Sequence, residues 1–244
     1  MSTPVIGIGG LGDWAASLSP WEETLSPGTP YWFLDTEVTG KTSFTDRVHT
    51  LELAILKSSK PVRIIGQSAG ALAALIVASK HPKKVTGVIA VSPAMPRGIS
   101  PLGLPLLKIM WRYQIAMWRN ELITVSAEDY TNLALNGVVV YRNFLLDFRK
   151  QISGREATEL STPWLQPELQ QVEVPIVYIY GDRDQWVSPR AHMKFASQLK
   201  KANPNKTHVI VAEGVGHLPA HSHHRHAIMQ EAFSALAEME NTSS

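Results

Sequence analysis

Cysteine is absent from this chain, which excludes a disulfide-stapled scaffold, a thiolate metal site and a cysteine nucleophile. An excess of either charge is missing too. The 23 basic and 21 acidic residues leave a formal charge of +2, too balanced for a surface that tracks phosphates, so no nucleic-acid partner is expected. No block of like charge occurs, and at 44% hydrophobic and 18% charged residues the chain is too apolar for a disordered linker. Long apolar runs are also lacking. Met1 to Pro4 carries no positively charged leader, and the apolar stretch after it is short and glycine-rich, fitting neither a signal peptide nor a membrane span. A cytoplasmic protein with no stable membrane insertion is expected. What is present is an ordinary globular composition over 244 residues, a length that one α/β core accommodates.

Short apolar runs recur along the chain. Val5 to Ile8, Tyr31 to Leu34, Val62 to Ile65, Val85 to Val91, Ile176 to Tyr180 and His208 to Val211 read as buried strands, each ended by a turn residue or enriched in β-branched and aromatic side chains. Thr45 to Lys57, Ala69 to Lys80, Ala191 to Leu199 and Ala227 to Met239 follow helical spacing. This alternation predicts a mostly parallel sheet with helices on both faces, whose ligands sit at the carboxyl ends of the strands. It stops between Pro93 and Val172, where a stretch punctuated by proline and glycine leads into three helical segments. The expected division is a core of residues 1–92 and 173–244, with a helical insertion over 93–172.

The strongest local motif is Gly66-Gln67-Ser68-Ala69-Gly70, placed between an apolar strand and an alanine-rich helix. A turn this sharp lifts the Ser68 hydroxyl above the sheet and aims the next backbone N–H at the same point, with small neighbours making it sterically possible. The plainer reading is a serine that caps the helix. A serine nucleophile needs a base, itself held by an acid. Gly181-Asp182-Arg183-Asp184 and Gly214-Val215-Gly216-His217 follow the fifth and sixth strands and supply both, in the chain order Ser, Asp, His.

On these residues the sequence resembles the α/β-hydrolase superfamily over most of its length. Gly66 to Gly70 is similar to the nucleophile elbow, Gly181 to Pro189 to the acid loop, and Gly216-His217 to the segment bearing the histidine. The resemblance implies Ser68 as nucleophile, His217 as general base and acid, and Asp184, with Asp182 as the alternative, holding the imidazole. It places one oxyanion donor at the Ala69 N–H and the other in Gly9-Gly10-Leu11-Gly12, at Leu11, with Ile8 and Gly12 as alternatives. Gly9 and Gln67 depart from the family pattern, which has histidine at the first position and often at the second. Residues 93–172 fall where the family inserts its lid. There Trp111 could line an acyl pocket or pack on the core, as could Trp186 at the rim.

Two competing patterns carry less. Gly7-Ile8-Gly9-Gly10-Leu11-Gly12 is also the dinucleotide fingerprint GxGxxG, with Asp35 after the next strand for the ribose, but Ser19-Pro20 is expected to interrupt the helix beneath such a cofactor. His221, His223, His224 and His226 lack a carboxylate or thiolate at metal-ligand spacing and include Arg225, so they read as the solvated start of the last helix. The expectation is therefore a serine hydrolase with neither cofactor nor metal. Its substrate is a small molecule, free or held by a carrier protein: an ester, thioester or lactone with an apolar acyl part. Non-hydrolytic chemistry at the same triad (carbon–carbon cleavage, lyase or cyclase steps, cofactor-free oxygenation) and a dinucleotide-dependent oxidoreductase are the alternatives.

Overall fold

Six of the apolar runs are strands, and every neighbouring pair runs parallel. The computed structural model describes residues 2–10, 18–34, 43–94, 123–127 and 172–242. Within them β1 (Val5–Ile8), β2 (Tyr31–Leu34), β3 (Val62–Gln67), β4 (Val85–Val91), β5 (Ile176–Gly181) and β6 (Thr207–Ala212) form one six-stranded sheet in the order β2-β1-β3-β4-β5-β6. The helices are α1 (Ser19–Glu23), α2 (Phe44–Lys57), α3 (Ala69–Lys80), α4 (Pro189–Ala202) and α5 (Arg225–Thr242).

Both faces of this sheet are covered, which is why most of its strand residues are apolar. Ile6, Ile8, Ile64, Val88, Ala90 and Tyr178 turn to the face covered by α2, α3 and α4. Val5, Ile65, Ile89, Val91, Val177 and Ile179 turn to the face covered by α1 and α5. This is the period-two alternation of a pleated strand, with a core on either side. In α3 every residue from Ala69 to Ala78 is buried, as expected of a helix apolar on all sides and wedged between the sheet and α2. By contrast, α4 buries His192, Phe195, Ala196 and Leu199, an i, i+3, i+4, i+7 stripe.

Local signals fix the helix starts. Ser43 and Asp46 form a reciprocal capping box at α2, the Asp46 N–H donating to Ser43 Oγ at 3.0 Å and the Ser43 N–H to Asp46 Oδ2 at 2.9 Å. At α4, Ser188 Oγ accepts the Ala191 N–H, with Pro189 opening the helix. Ser19-Pro20, expected to interrupt a helix, lies in the first turn of α1, where proline forgoes only an N–H that has no intrahelical acceptor; residues 11–17 before it lie outside the described ones.

The expected lid falls on residues outside the described ones, apart from 93–94, 123–127 and 172. No described helix is long and apolar enough to cross a membrane. Because all six strands run parallel, the loops after β3, β4, β5 and β6 open on one edge of the sheet. That edge carries Ser68, Ser92, Asp184 and His217.

Candidate active site

Ser68 sits between β3 and α3 with φ 53° and ψ −117°, a left-handed backbone that side-chain-bearing residues seldom adopt. Its position is that of an N-cap, but its side chain makes no capping hydrogen bond. A capping serine has extended backbone and accepts an N–H from the first turn, and Ser68 has neither property. The turn is held by its main chain. The Ser68 N–H donates to Val91 O at 2.9 Å, and Ser68 O accepts the Leu72 N–H at 3.2 Å and the Ala94 N–H at 3.0 Å, so the end of β4 braces the end of β3. Ser92, on that brace, also has positive φ, at 41°. Such strain persists only where the surroundings over-determine it.

Glycine makes the elbow possible by close approach. A Cβ at Gly66 would lie 2.6 Å from Ala71 Cα and from Gly70 O, and one at Gly70 would collide with the carbonyl oxygens of Ile8 and Gly9. The atoms in the way are backbone and cannot swing aside. Gly66→Ala is therefore expected to destabilise the fold by about 1–3 kcal/mol, measured by urea denaturation; an unchanged midpoint would show that the turn has room to spare. The approach at Gly70 also seats the first loop on α3. Buried Arg47 anchors the same loop from α2, donating from Nη1 to Gly9 O at 2.8 Å. In the first turn of α3, the Ala69 N–H has no acceptor within its own helix.

Across the rim, Asp184 and His217 meet. The ring Nδ1 of His217 lies 2.7 Å from Asp184 Oδ2. Asp184 Oδ1 accepts the backbone N–H groups of Trp186 at 2.8 Å and Val187 at 3.0 Å. A second histidine, His192, approaches the same Oδ2 with its Nε2 at 3.0 Å, and Tyr178 Oη lies 2.8 Å from its Nδ1. Burial alone would push the Asp184 carboxyl up. The field of His217 outweighs it, together with hydrogen bonds from His192, His217 and the Val187 N–H, and the carboxyl is held well below the usual range. Burial pushes the His192 imidazole down against the pull of Asp184, and it drives the Tyr178 phenol well up. An ionised carboxylate only accepts, so both imidazoles donate to it. His217 then carries its proton on Nδ1, which leaves Nε2 as the unprotonated nitrogen, the one with a lone pair.

Gln67 joins the two halves of the site. Fully buried next to Ser68, it donates from Nε2 to His217 O at 3.1 Å, which puts Ser68 and His217 on the same stretch of rim. Trp186 lies against His217, with ring centroids 6.2 Å apart. Asp182 accepts the Gly214 N–H at 2.7 Å and so braces the loop that bears His217. The histidine-rich stretch is less solvated than expected. His223, His224 and His226 are exposed, but His221 is buried and Arg225 donates from Nη1 to Ser126 Oγ at 3.0 Å. The piece of the 93–172 segment at residues 123–127 causes this, for Val125 bridges Ser222 and the Ser126 N–H donates to His221 O at 2.8 Å. Among the described residues no cluster of metal-ligating side chains occurs. Leu11, Gly12, Asp35 and Trp111 lie outside the described residues.

His192 belongs to no motif, and sequence reasoning misses it. Its signal is the inward stripe at 192, 195, 196 and 199, which begins on a histidine where an apolar residue is the rule.

Three solved structures illustrate how widely this arrangement of strands and helices is shared. A monoacylglycerol lipase from Paleococcus ferrophilus is 17% identical, with a TM-score of 0.69 over 98% of this chain and 97% of that one. A thermophilic esterase from Thermogutta terrifontis is 16% identical, with a TM-score of 0.68 over 98% of this chain and 91% of the other. A carboxylesterase from the thaumarchaeon Nitrososphaera gargenis is 17% identical, with a TM-score of 0.64 over 100% of this chain and 92% of the other. At such identities the likeness concerns the fold. No curated protein matches by sequence. The profile of the family described as serine aminopeptidase, S33, matches residues 42–221, a span that runs from the capping box of α2 through Ser68, Asp184 and His217. The chain thus belongs to the serine aminopeptidase S33 family, and it is an α/β-hydrolase.

Proposed function

We propose that this α/β-hydrolase cleaves an ester, thioester or lactone with an apolar acyl part, through a covalent acyl-enzyme on Ser68. In this reading Ser68 Oγ attacks the carbonyl carbon while its proton passes to His217 Nε2. The carbonyl π electrons move onto oxygen, which is met by the N–H of Ala69 and by an N–H of the first loop, at Leu11. Collapse expels the alcohol or thiol, which takes the proton from His217. Water then repeats the sequence on the acyl-enzyme, releasing the acid and restoring Ser68. Asp184 keeps the His217 proton on Nδ1 and offsets the imidazolium charge. Residues 93–172 act as the lid, with Trp111 and Trp186 against the acyl chain.

One observation carries this reading: Ser68 occupies a helix N-cap at φ 53° without capping the helix, so its hydroxyl is committed to no structural task there. That a monoacylglycerol lipase and two esterases share this fold supports an ester over other acyl compounds.

The test is labelling by a p-nitrophenyl alkylphosphonate. Mass spectrometry of the digested adduct is expected to find the phosphonyl group on Ser68, and hydrolysis of p-nitrophenyl butyrate in oxygen-18 water is expected to put one solvent oxygen into the butyrate. Absence of the Ser68 adduct, or an acid free of solvent oxygen, would overturn the proposal.

A further inference from the structure

A triad requires one imidazole on its acid, and Asp184 has two. Each carboxylate oxygen has two lone-pair directions, and all four are taken: two by the backbone N–H groups of Trp186 and Val187, one by His217 and one by His192. The fourth donor is an expensive choice for the fold. The His192 side chain is fully buried at the start of the inward stripe of α4, a place where leucine would pack without needing partners. Its second ring nitrogen therefore demands Tyr178, whose own hydroxyl is buried inside β5.

The order of donors in this chain is forced. Asp184 can only accept, so His192 carries its proton on Nε2, its Nδ1 is an acceptor, and Tyr178 O–H donates to it. Tyr178 thus selects the tautomer of His192 as Asp184 selects that of His217. Among the described residues, the titratable groups facing the His192 ring are Tyr178 and Tyr180 from β5, Asp184 from the loop after β5 and His217 from the loop after β6. The Tyr180 ring stacks on it with centroids 5.1 Å apart, and its phenol faces the charge of Asp182.

We propose that His192 is a positioning residue for the acid: with Tyr178 behind it, it locks the Asp184 carboxylate in the orientation that meets His217 and draws charge from the shared oxygen, keeping His217 less basic than a triad with a single histidine would. Two consequences follow. Without the donor, Asp184 Oδ2 is free to turn away from His217, and productive geometry is populated less often. The charge that His192 withdrew also returns to the His217 bond, stabilises the imidazolium and raises the pH at which the base becomes available.

This inference rests on the acyl-transfer reading, and labelling of Ser68 in the unaltered protein tests that reading separately. The experiment is the pH profile of kcat/KM for p-nitrophenyl butyrate in the full chain. His192→Phe keeps a planar ring in the site and removes the donor. It is expected to lower the plateau roughly tenfold and to move the acid limb up by about half a pH unit or more. His192→Gln, whose amide N–H can reach Asp184, is expected to return the limb toward its original position, a rescue that a purely space-filling role would not give. A folded Phe variant with an unmoved limb, or a Gln variant as displaced as Phe, would overturn the proposal. Should the Phe variant fail to fold, Tyr178→Phe decides: loss of the tautomer lock is expected to shift the limb in the same direction by less, and an unmoved limb there is equally fatal.

Discussion

Ser68→Ala is expected to lower kcat for ester hydrolysis by about 10⁴-fold or more, with no phosphonate adduct and with thermal stability almost unchanged. In the proposed mechanism the size follows from the loss of the acyl-enzyme route: without the hydroxyl, His217 would have no nucleophile to activate, and only binding and the oxyanion donors would remain. Indifference of the fold follows from the geometry. Ser68 is braced by its main chain, through Val91 O and the N–H groups of Leu72 and Ala94, and alanine leaves those bonds in place. Alanine also keeps a Cβ at φ 53°, so the strain neither grows nor relaxes. The side chain caps nothing, so its removal leaves no first-turn N–H newly orphaned. A stability change within about 0.5 kcal/mol is expected, read by differential scanning calorimetry beside the rate. Activity that survives the substitution would end the case for covalent catalysis at this position.

The strands are the most legible part of the sequence. Both faces of the sheet are covered, so β1 and β2 are apolar runs, and β4 is one broken only by Thr86 and Gly87, with ends that coincide with Gly9, Asp35 and Ser92. β3 and β5 each run on past the apolar residues to Gln67 and Gly181, because ladder pairing with Val91 and Ala212 continues where hydrophobicity stops. Short α1 is hidden, since five residues cannot show a period and its proline looks like a break. In the site, Gly66 to Gly70, Asp184 and His217 stand out because backbone geometry demands glycine near them, and glycine is visible in a sequence. The bonds that Gln67, Ser92 and His192 make do not. Their partners come from other strands and loops, and a bond between residues 67 and 217 leaves no local pattern. Residues 93–172 show helical spacing without the glycine-bounded apolar runs that fix a strand, and what the substrate meets there is not written in spacing alone.

Asp184→Asn is the sharper chemical test, because it removes a charge while keeping the shape. The wild-type carboxylate receives four donors, and an amide can accept only through its single oxygen. The backbone N–H groups of Trp186 and Val187 cannot reverse, so the oxygen of the new amide turns to them and its NH2 faces the two imidazoles. Each imidazole must then accept. His217 moves its proton to Nε2 and loses the lone pair that serves as base, and His192 moves its proton to Nδ1, against the Tyr178 hydroxyl. A loss of about 10⁴-fold in kcat is expected, with the protein roughly 2 kcal/mol less stable at neutral pH. The pH dependence fixes the cause. The folded Asp184 carboxyl is held below its unfolded value of about 3.9, so its stabilisation is fully present above that pH and is lost as pH falls toward the folded value. His192 is held below its unfolded value of about 6.5, so the unfolded chain begins to take up its proton first, and stability already starts to decline in mild acid. Melting temperatures from pH 8 to pH 3 should therefore fall in two stages in the wild type, while the Asn variant lacks the stage below about pH 4 and the gap between the two proteins narrows there. A gap that stays constant to pH 3 would mean that Asp184 is not the ionised, fully hydrogen-bonded acid on which the arrangement of both histidines depends.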